Sequence, residues 1–247
     1  PMTNGTLPIQ IALKVLGKNS EIITTPFSYV ATTSSIVWEN CTPVFVDIDP
    51  DHLTIDETKI EAAITNKTTA ILATHVYGNP CDVEAIEKIA KKYNLKVIYD
   101  AAHCFGVEYK GKSIFNYGDI STCSFHATKI FHTGEGGALF CNDSRLFNQL
   151  FYRHNFGHNG SEKFHGLGIN AKMSELQAAM GLSVLPHMNT IFKERKRVCN
   201  FYDENLNFTG YNKISIRENT KWNYSYYPII FDSEELLVNA LKKLDLE

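Results

Sequence analysis

Lys96-Val97-Ile98-Tyr99-Asp100-Ala101-Ala102-His103 is the stretch on which the fold turns. A short apolar run ends in an acid, and two small residues let the chain turn away. Apolar residues at successive rather than alternate positions mark a strand covered on both faces, as inside a sheet with helices on either side. Similar runs lie upstream at Glu21–Thr24, 43–47 and 70–75, and downstream at 120–125 and Gly137–Phe140. Helical patterns separate them. One opens at about residue 8 and runs to 16, and others cover 31–38, 56–64 and 81–93. Ile60, Ala63 and Ile64 keep helix spacing in the third, and Asp82 stands near the start of the fourth. Gly78, Asn79 and Pro80 mark a turn between strand and helix. The alternation predicts an α/β sandwich with a largely parallel or mixed sheet.

After residue 170 the pattern changes. Residues 174–182 and 188–206 read as long helices, the second with a charged run, Lys193-Glu194-Arg195-Lys196-Arg197, suited to a solvated face. Strands at 213–216 and 224–231 and a helix at 233–244 follow, as the start of a second, smaller domain. The expected division is a large domain over residues 1–185, and a connecting helix with a partial small α+β domain over 186–247.

The 247 residues carry a net charge of −3 and lack a long basic run, which argues against a nucleic-acid partner. No apolar run approaches the roughly 18 residues a membrane span needs, and no leader pattern opens the chain, so a cytoplasmic protein is expected. The six cysteines are scattered, with no C-x-x-C pair, as for reduced thiols in the core and no metal site.

Three segments carry candidate chemistry. Ser124-Phe125-His126-Ala127-Thr128-Lys129 leads into Gly134-Glu135-Gly136-Gly137, so a strand releases one lysine into a loop that glycines let pass close to something. Asp100 closes a strand of the same sheet, and functional groups of open α/β sheets gather at the carboxyl ends of strands. Asn4-Gly5-Thr6 opens a helix whose N–H groups suit a phosphate. Taken singly, Lys129 reads as a solvated loop residue, and Asp100 and Asn4-Gly5-Thr6 as plain helix caps. Taken together they suit pyridoxal 5′-phosphate (PLP), which needs a lysine at its aldehyde and an acid to keep its ring nitrogen protonated.

The ordered set of Asn-Gly-Thr (4–6), Thr-Pro-Phe-Ser-Tyr-Val-Ala-Thr (25–32), His75-x-Tyr77-Gly78-Asn79-Pro80, Asp-Ala-Ala-His (100–103), Ser-Phe-His-Ala-Thr-Lys (124–129) and Gly168-Ile169-Asn170-Ala171-Lys172-Met173-Ser174-Glu175-x-Gln177-Ala178-Ala179 resembles the DegT/DnrJ/StrS group of nucleotide-sugar aminotransferases. The likeness runs from the first residues to about Arg197. It implies the aspartate-aminotransferase-like fold type I, with a mixed seven-stranded sheet between helices. It implies Lys129 as the Schiff-base lysine and proton carrier, Asp100 at the pyridinium nitrogen, His103 near the phenolic oxygen and Tyr29 stacked on the ring. Gly5 and Thr6 N–H groups and the Thr6 and Ser124 hydroxyls would hold the phosphate. Asn170 would reach it from the neighbouring subunit of a homodimer. Lysine at position 129, where related sugar 3-dehydratases carry histidine, favours amine transfer.

The stretches Glu21-Ile22-Ile23-Thr24-Thr25-Pro26, Val46-Asp47-Ile48-Asp49 and Tyr77-Gly78-Asn79-Pro80-Cys81-Asp82 resemble enzymes that aminate C4 of dTDP-4-keto-6-deoxyglucose for deoxyamino-sugar and O-antigen synthesis, with glutamate as donor. A C3 aminotransferase of a dTDP-3-keto-6-deoxyhexose and a non-catalytic regulatory subunit are the alternatives. Family members carry helices ahead of the Asn-Gly-Thr segment and continue beyond this chain's last residue, so a piece of a longer protein is expected. His154 and His158 fall in a loop that the resemblance brings near the site, where plain loop polarity explains them equally well.

Overall fold

The computed structural model describes residues 1–17, 19–207 and 209–244. Its central sheet is built from β1 (Glu21–Thr24), β2 (Thr42–Phe45), β3 (Thr68–Thr74), β4 (Lys96–Asp100), β7 (Ile120–Ser124) and β8 (Gly137–Phe140), in the order β2-β1-β3-β4-β7-β8. The first five run parallel, and β8 closes the edge antiparallel to β7. The expected mixed sheet is therefore present.

The alternation of side chains along each strand builds two cores. Ile22, Ala70, Leu72, Ile98 and Ile120 face one way, onto Ile9, Ala12 and Leu13 of α1 (Thr6–Leu16) and Leu150 of α5 (Ser144–Arg153). Ile23, Ile71, Ala73, Val97 and Tyr99 face the other way, onto Val83, Ile86, Ile89 and Ala90 of α4 (Val83–Tyr93). The apolar strand runs thus belong to a sheet covered on both sides. Asp82 caps α4 by accepting from Ala85 N–H at 2.9 Å, and Asn94 ends it in the left-handed region at φ 53°. Helix α2 (Val30–Trp38) packs against α1.

The strand number is a correction. Among the described residues the sheet has six strands, which are the six runs legible in the sequence; a seventh was implied by the resemblance alone. On the free edge of β8 Met2 alone among the described residues pairs, through Met2 N–H to Gly137 O at 2.7 Å and Gly137 N–H to Met2 O at 2.9 Å. Met2 bridges Lys172 as well, so the chain crosses this edge at one residue without running along it.

Two other expectations shift. The helix expected over 56–64 is α3 (Glu57–Ile60) followed by a single 3-10 turn, Glu61–Ala63. The strand expected over 213–216 is instead β9 (Tyr211–Lys213), because Ser215 N–H goes to Asp51 O and Arg217 N–H to Asn79 Oδ1. Backbone donors spent on loops cannot join a ladder. The 224–231 run shrinks to β11 (Ile229–Phe231), antiparallel to β9, since Tyr224 sits at φ 57°. Helix α5, with Asp143 as its cap, and the hairpin β5 (Glu108–Tyr109) and β6 (Lys112–Ser113) were not anticipated. Strand β10 (Thr220–Lys221) adds to that hairpin. The remaining helices are α6 (Glu175–Val184), α7 (Met188–Asn205) and α8 (Glu234–Leu244). No described helix is long and apolar enough to cross a membrane.

Candidate active site

Because β1, β3, β4 and β7 are parallel, their carboxyl ends share one edge. Chain order reverses between β1 and β3, which opens a crevice there. A cavity of about 990 Å³ occupies this edge. Residues after β1 (Phe27, Tyr29), after β3 (Val76, Tyr77) and at the ends of β4 and β7 (Asp100, Ser124) line it, together with the start of α1 and Lys129.

Asp100 is the last residue of β4 and 5% exposed. Its Oδ2 accepts from Thr32 Oγ1 at 2.7 Å and its Oδ1 from Ala102 N–H at 3.1 Å. Burial raises its pKa, against the opposing pull of these two bonds and the Lys129 charge. The site therefore gains from any cation that settles against this carboxylate.

His103 lies beyond the turn. Its Nδ1 accepts from Tyr77 N–H at 3.0 Å, so the neutral ring carries its proton on Nε2. Burial, with the Lys129 charge, lowers its pKa to about 3, so it stays a neutral donor at physiological pH. Its ring packs on Tyr226 at 4.6 Å and on Tyr77 at 6.1 Å.

Lys129 rides the loop between β7 and β8. Phe125 N–H to Gly136 O and Ala127 N–H to Gly134 O, both 2.7 Å, extend the hairpin ladder into that loop. Ile130 and Phe131, buried directly after the lysine, pin it. The amine reaches the cavity, and Nζ donates to Tyr226 Oη at 3.4 Å. His126 and Glu135, 3.5 Å apart, stand on the same wall.

Gly5 meets Ser124 where the chain allows no side chain. A Cβ on Gly5 would lie 2.7 Å from Ser124 Cβ and 2.8 Å from its Oγ. Thr6 and Leu7 N–H both donate to Asn4 Oδ1, at 3.0 and 2.9 Å, so Asn4 takes the amide expected of Thr6 for a phosphate. Gln177 of α6 ties this corner down, donating from Nε2 to Thr3 O at 2.9 Å while its Oε1 caps Ser174 N–H.

Of the residues expected to act, Gly5, Thr6, Tyr29, Asp100, His103, Ser124 and Lys129 come together on this one cavity. Tyr29 lines it while 77% exposed. Asn170 is apart from it: exposed, bridged to Asn155, and accepting from Lys172 Nζ at 2.8 Å. His154 and His158 lie away from the cavity, the latter against Phe164. Thr32, Tyr77, Gln177 and Tyr226 had no assigned role. The first three stand inside the quoted motifs, where a motif-based reading could have found them. Nothing local points to Tyr226.

A buried acid, a neutral histidine donor, a lysine on a short tether and a glycine–serine cradle at a helix start form a donor set that fits a small phosphorylated ring with a cationic nitrogen and an aldehyde. Comparison with known proteins identifies the family of the chain. The model of the DegT/DnrJ/EryC1/StrS aminotransferase family matches residues 1–247. The chain is 47% identical over 249 residues to a dTDP-4-amino-4,6-dideoxy-D-glucose transaminase of Shigella dysenteriae, covering 98% of this chain and 68% of the relative. It is 43% identical over 234 residues to the transaminase of the same name from Escherichia coli, covering 93% of this chain and 62% of that protein. It thus spans about two thirds of the length of these relatives. Among solved structures, DesI in the presence of its TDP-sugar product superposes with a TM-score of 0.91 at 31% identity, over 100% of this chain and 64% of that one.

Proposed function

The chain belongs to the DegT/DnrJ/EryC1/StrS aminotransferase family, and from that premise we propose that it transfers an amino group, through PLP, from glutamate to C4 of dTDP-4-keto-6-deoxyglucose. We assign it to the cytoplasm, as a homodimer in which Asn170 serves the neighbouring site. The convergence of Lys129, Asp100, His103 and Ser124 on one cavity carries the reading.

Bound there, PLP supplies an electron-withdrawing ring that stabilises negative charge on the carbon bearing the amino nitrogen. The residues do the rest. Asp100, kept in place by Thr32 and the Ala102 N–H, holds a proton on the ring nitrogen. That cation would offset the burial that raises the Asp100 pKa. His103, donor at Nε2 because Tyr77 occupies its Nδ1, steadies the phenolic oxygen. The Ser124 and Thr6 hydroxyls and the Gly5 N–H would hold the phosphate, with Gly5 allowing the close approach. Tyr29 covers a ring face. Lys129 would hold the cofactor at its aldehyde, and its amine would carry the proton to and from the sugar carbon.

The test is a panel of 3-keto and 4-keto sugar nucleotides offered with glutamate, the new amine being located by NMR. Amination at C4 of the dTDP-4-keto-6-deoxy sugar is expected; amination at C3 would move the assignment to the alternative position. Borohydride should fix a pyridoxyl mass on the Lys129 peptide. A protein that never takes up PLP would overturn the reading.

A further inference from the structure

Tyr226 is set into the cavity by a segment that reaches across the molecule. Trp222 Nε1 donates to Tyr77 O at 2.9 Å, and Asn223 Nδ2 donates to His103 O at 2.8 Å and Phe105 O at 2.9 Å. Asn223 is 2% exposed, and its Oδ1 accepts from Ser225 N–H at 3.1 Å, closing a tight side-chain turn. Between these bonds Tyr224 sits at φ 57°, a left-handed conformation that an aromatic residue adopts at a cost. Such strain persists only where surrounding contacts enforce it. Here they bring the chain back so that the next residue but one enters the cavity. The two backbones that receive the segment are those carrying Tyr77 and His103.

At the end of this segment the Tyr226 ring packs on His103 at 4.6 Å and on Tyr77 at 5.6 Å. Its hydroxyl takes the hydrogen bond from Lys129 Nζ, and the amine stands 6.0 Å from the ring centroid. Asp100, His103, His126, Glu135, Tyr29 and Tyr77 are the other titratable groups on the cavity wall.

We infer that Tyr226 is a positioning residue for Lys129: its hydroxyl holds the free amine aimed into the cavity, accepting from the ammonium and donating to the neutral amine. Beyond the hydrogen bond itself, this role rests on the transaminase reading above. A lysine on four methylenes samples many rotamers when free, and one fixed acceptor selects among them.

Tyr226→Phe removes the hydroxyl and keeps the ring. In cofactor-free protein with lysines 13C-methylated, the Lys129 signal, assigned through Lys129→Arg, should change position and become more mobile in 13C relaxation, since the amine loses its fixed partner. In the loaded enzyme kcat should fall about tenfold with KM for the keto sugar nearly unchanged. Tyr227→Phe removes the neighbouring hydroxyl, which points to Asp203, and should change neither readout. A Lys129 signal unchanged in position and mobility in Tyr226→Phe overturns the inference, whatever happens to kcat. A signal that changes in a protein that never takes up PLP supports the Lys129–Tyr226 pairing while sinking the transaminase reading.

Discussion

Gly5 illustrates how one residue can set the chemistry of a site. The helix start and the end of β7 approach so closely that any Cβ at position 5 would strike Ser124 Cβ, an atom that cannot swing aside. Gly5→Ala therefore has to push the helix start off the strand end. Overpacking of this kind costs roughly 1–3 kcal/mol. PLP retention, read by equilibrium dialysis, should weaken about tenfold or more. Retention equal to wild type would mean that the cradle is not used for phosphate. Lys129 and Asp100 present the opposite case. Each has an ordinary reading alone, and each becomes specific only through its neighbours: Thr32 against Asp100, and Tyr226 against Lys129.

At the scale of elements, strands were the most legible because burial on both faces leaves an unbroken apolar run. The bounds of Glu21–Thr24, Lys96–Asp100 and Gly137–Phe140 match those read from the sequence. Helix α5 escaped because its exposed face carries Phe147 and Phe151 and Leu150 is its one buried residue, so apolar spacing did not mark a buried stripe. Its start was nonetheless marked: Asp143 precedes the helix, and its Oδ1 accepts from Leu146 N–H at 2.7 Å. Asp143→Ala should lower unfolding free energy by about 1 kcal/mol in urea titrations, in line with other caps. No change would show that α5 draws nothing from its cap. The strands misplaced after residue 211 failed for a different reason. Asn79 and Asp51 divert backbone hydrogen bonds into loops from far away in sequence, and Asn223 takes the nearby Ser225 N–H.

For the whole molecule, two buried histidines tie stability to pH. His75 stacks on Tyr99 and accepts Cys81 N–H at Nδ1, and burial, with the Arg217 charge adding, lowers its pKa to about 3. His103 is lowered to about 3 as well. In the unfolded chain both return to about 6.5, so below that pH the unfolded state binds more protons. Their contribution is complete above about pH 6.5 and is lost as pH falls toward 3, at roughly 1.4 kcal/mol per unit for each histidine. Asp100, with its pKa raised, runs the other way at the acid end of this window. Urea midpoints of the cofactor-free protein should drop between pH 7 and pH 5, and His75→Gln should shallow that slope. A flat profile would contradict the burial argument.

The sequence by itself determined the two-faced strands, their helical covers, and the residues that meet at the strand ends. Parallel strands must present their carboxyl ends on one edge, so Asp100 and Ser124 could be joined without coordinates, and motif order brought in Lys129, His103 and Gly5. The tertiary structure alone decided which neighbours hold these groups. The six-stranded count depends on Met2 crossing the β8 edge at one residue. The loss of the Thr6 amide to Asn4 depends on how the chain enters α1. The arrival of Tyr226 at Lys129, 97 residues away, depends on Asn223 finding the carbonyls of His103 and Phe105. Strand and helix patterns are local consequences of burial, whereas a loop's direction is set by hydrogen-bond partners that only the folded chain brings within reach.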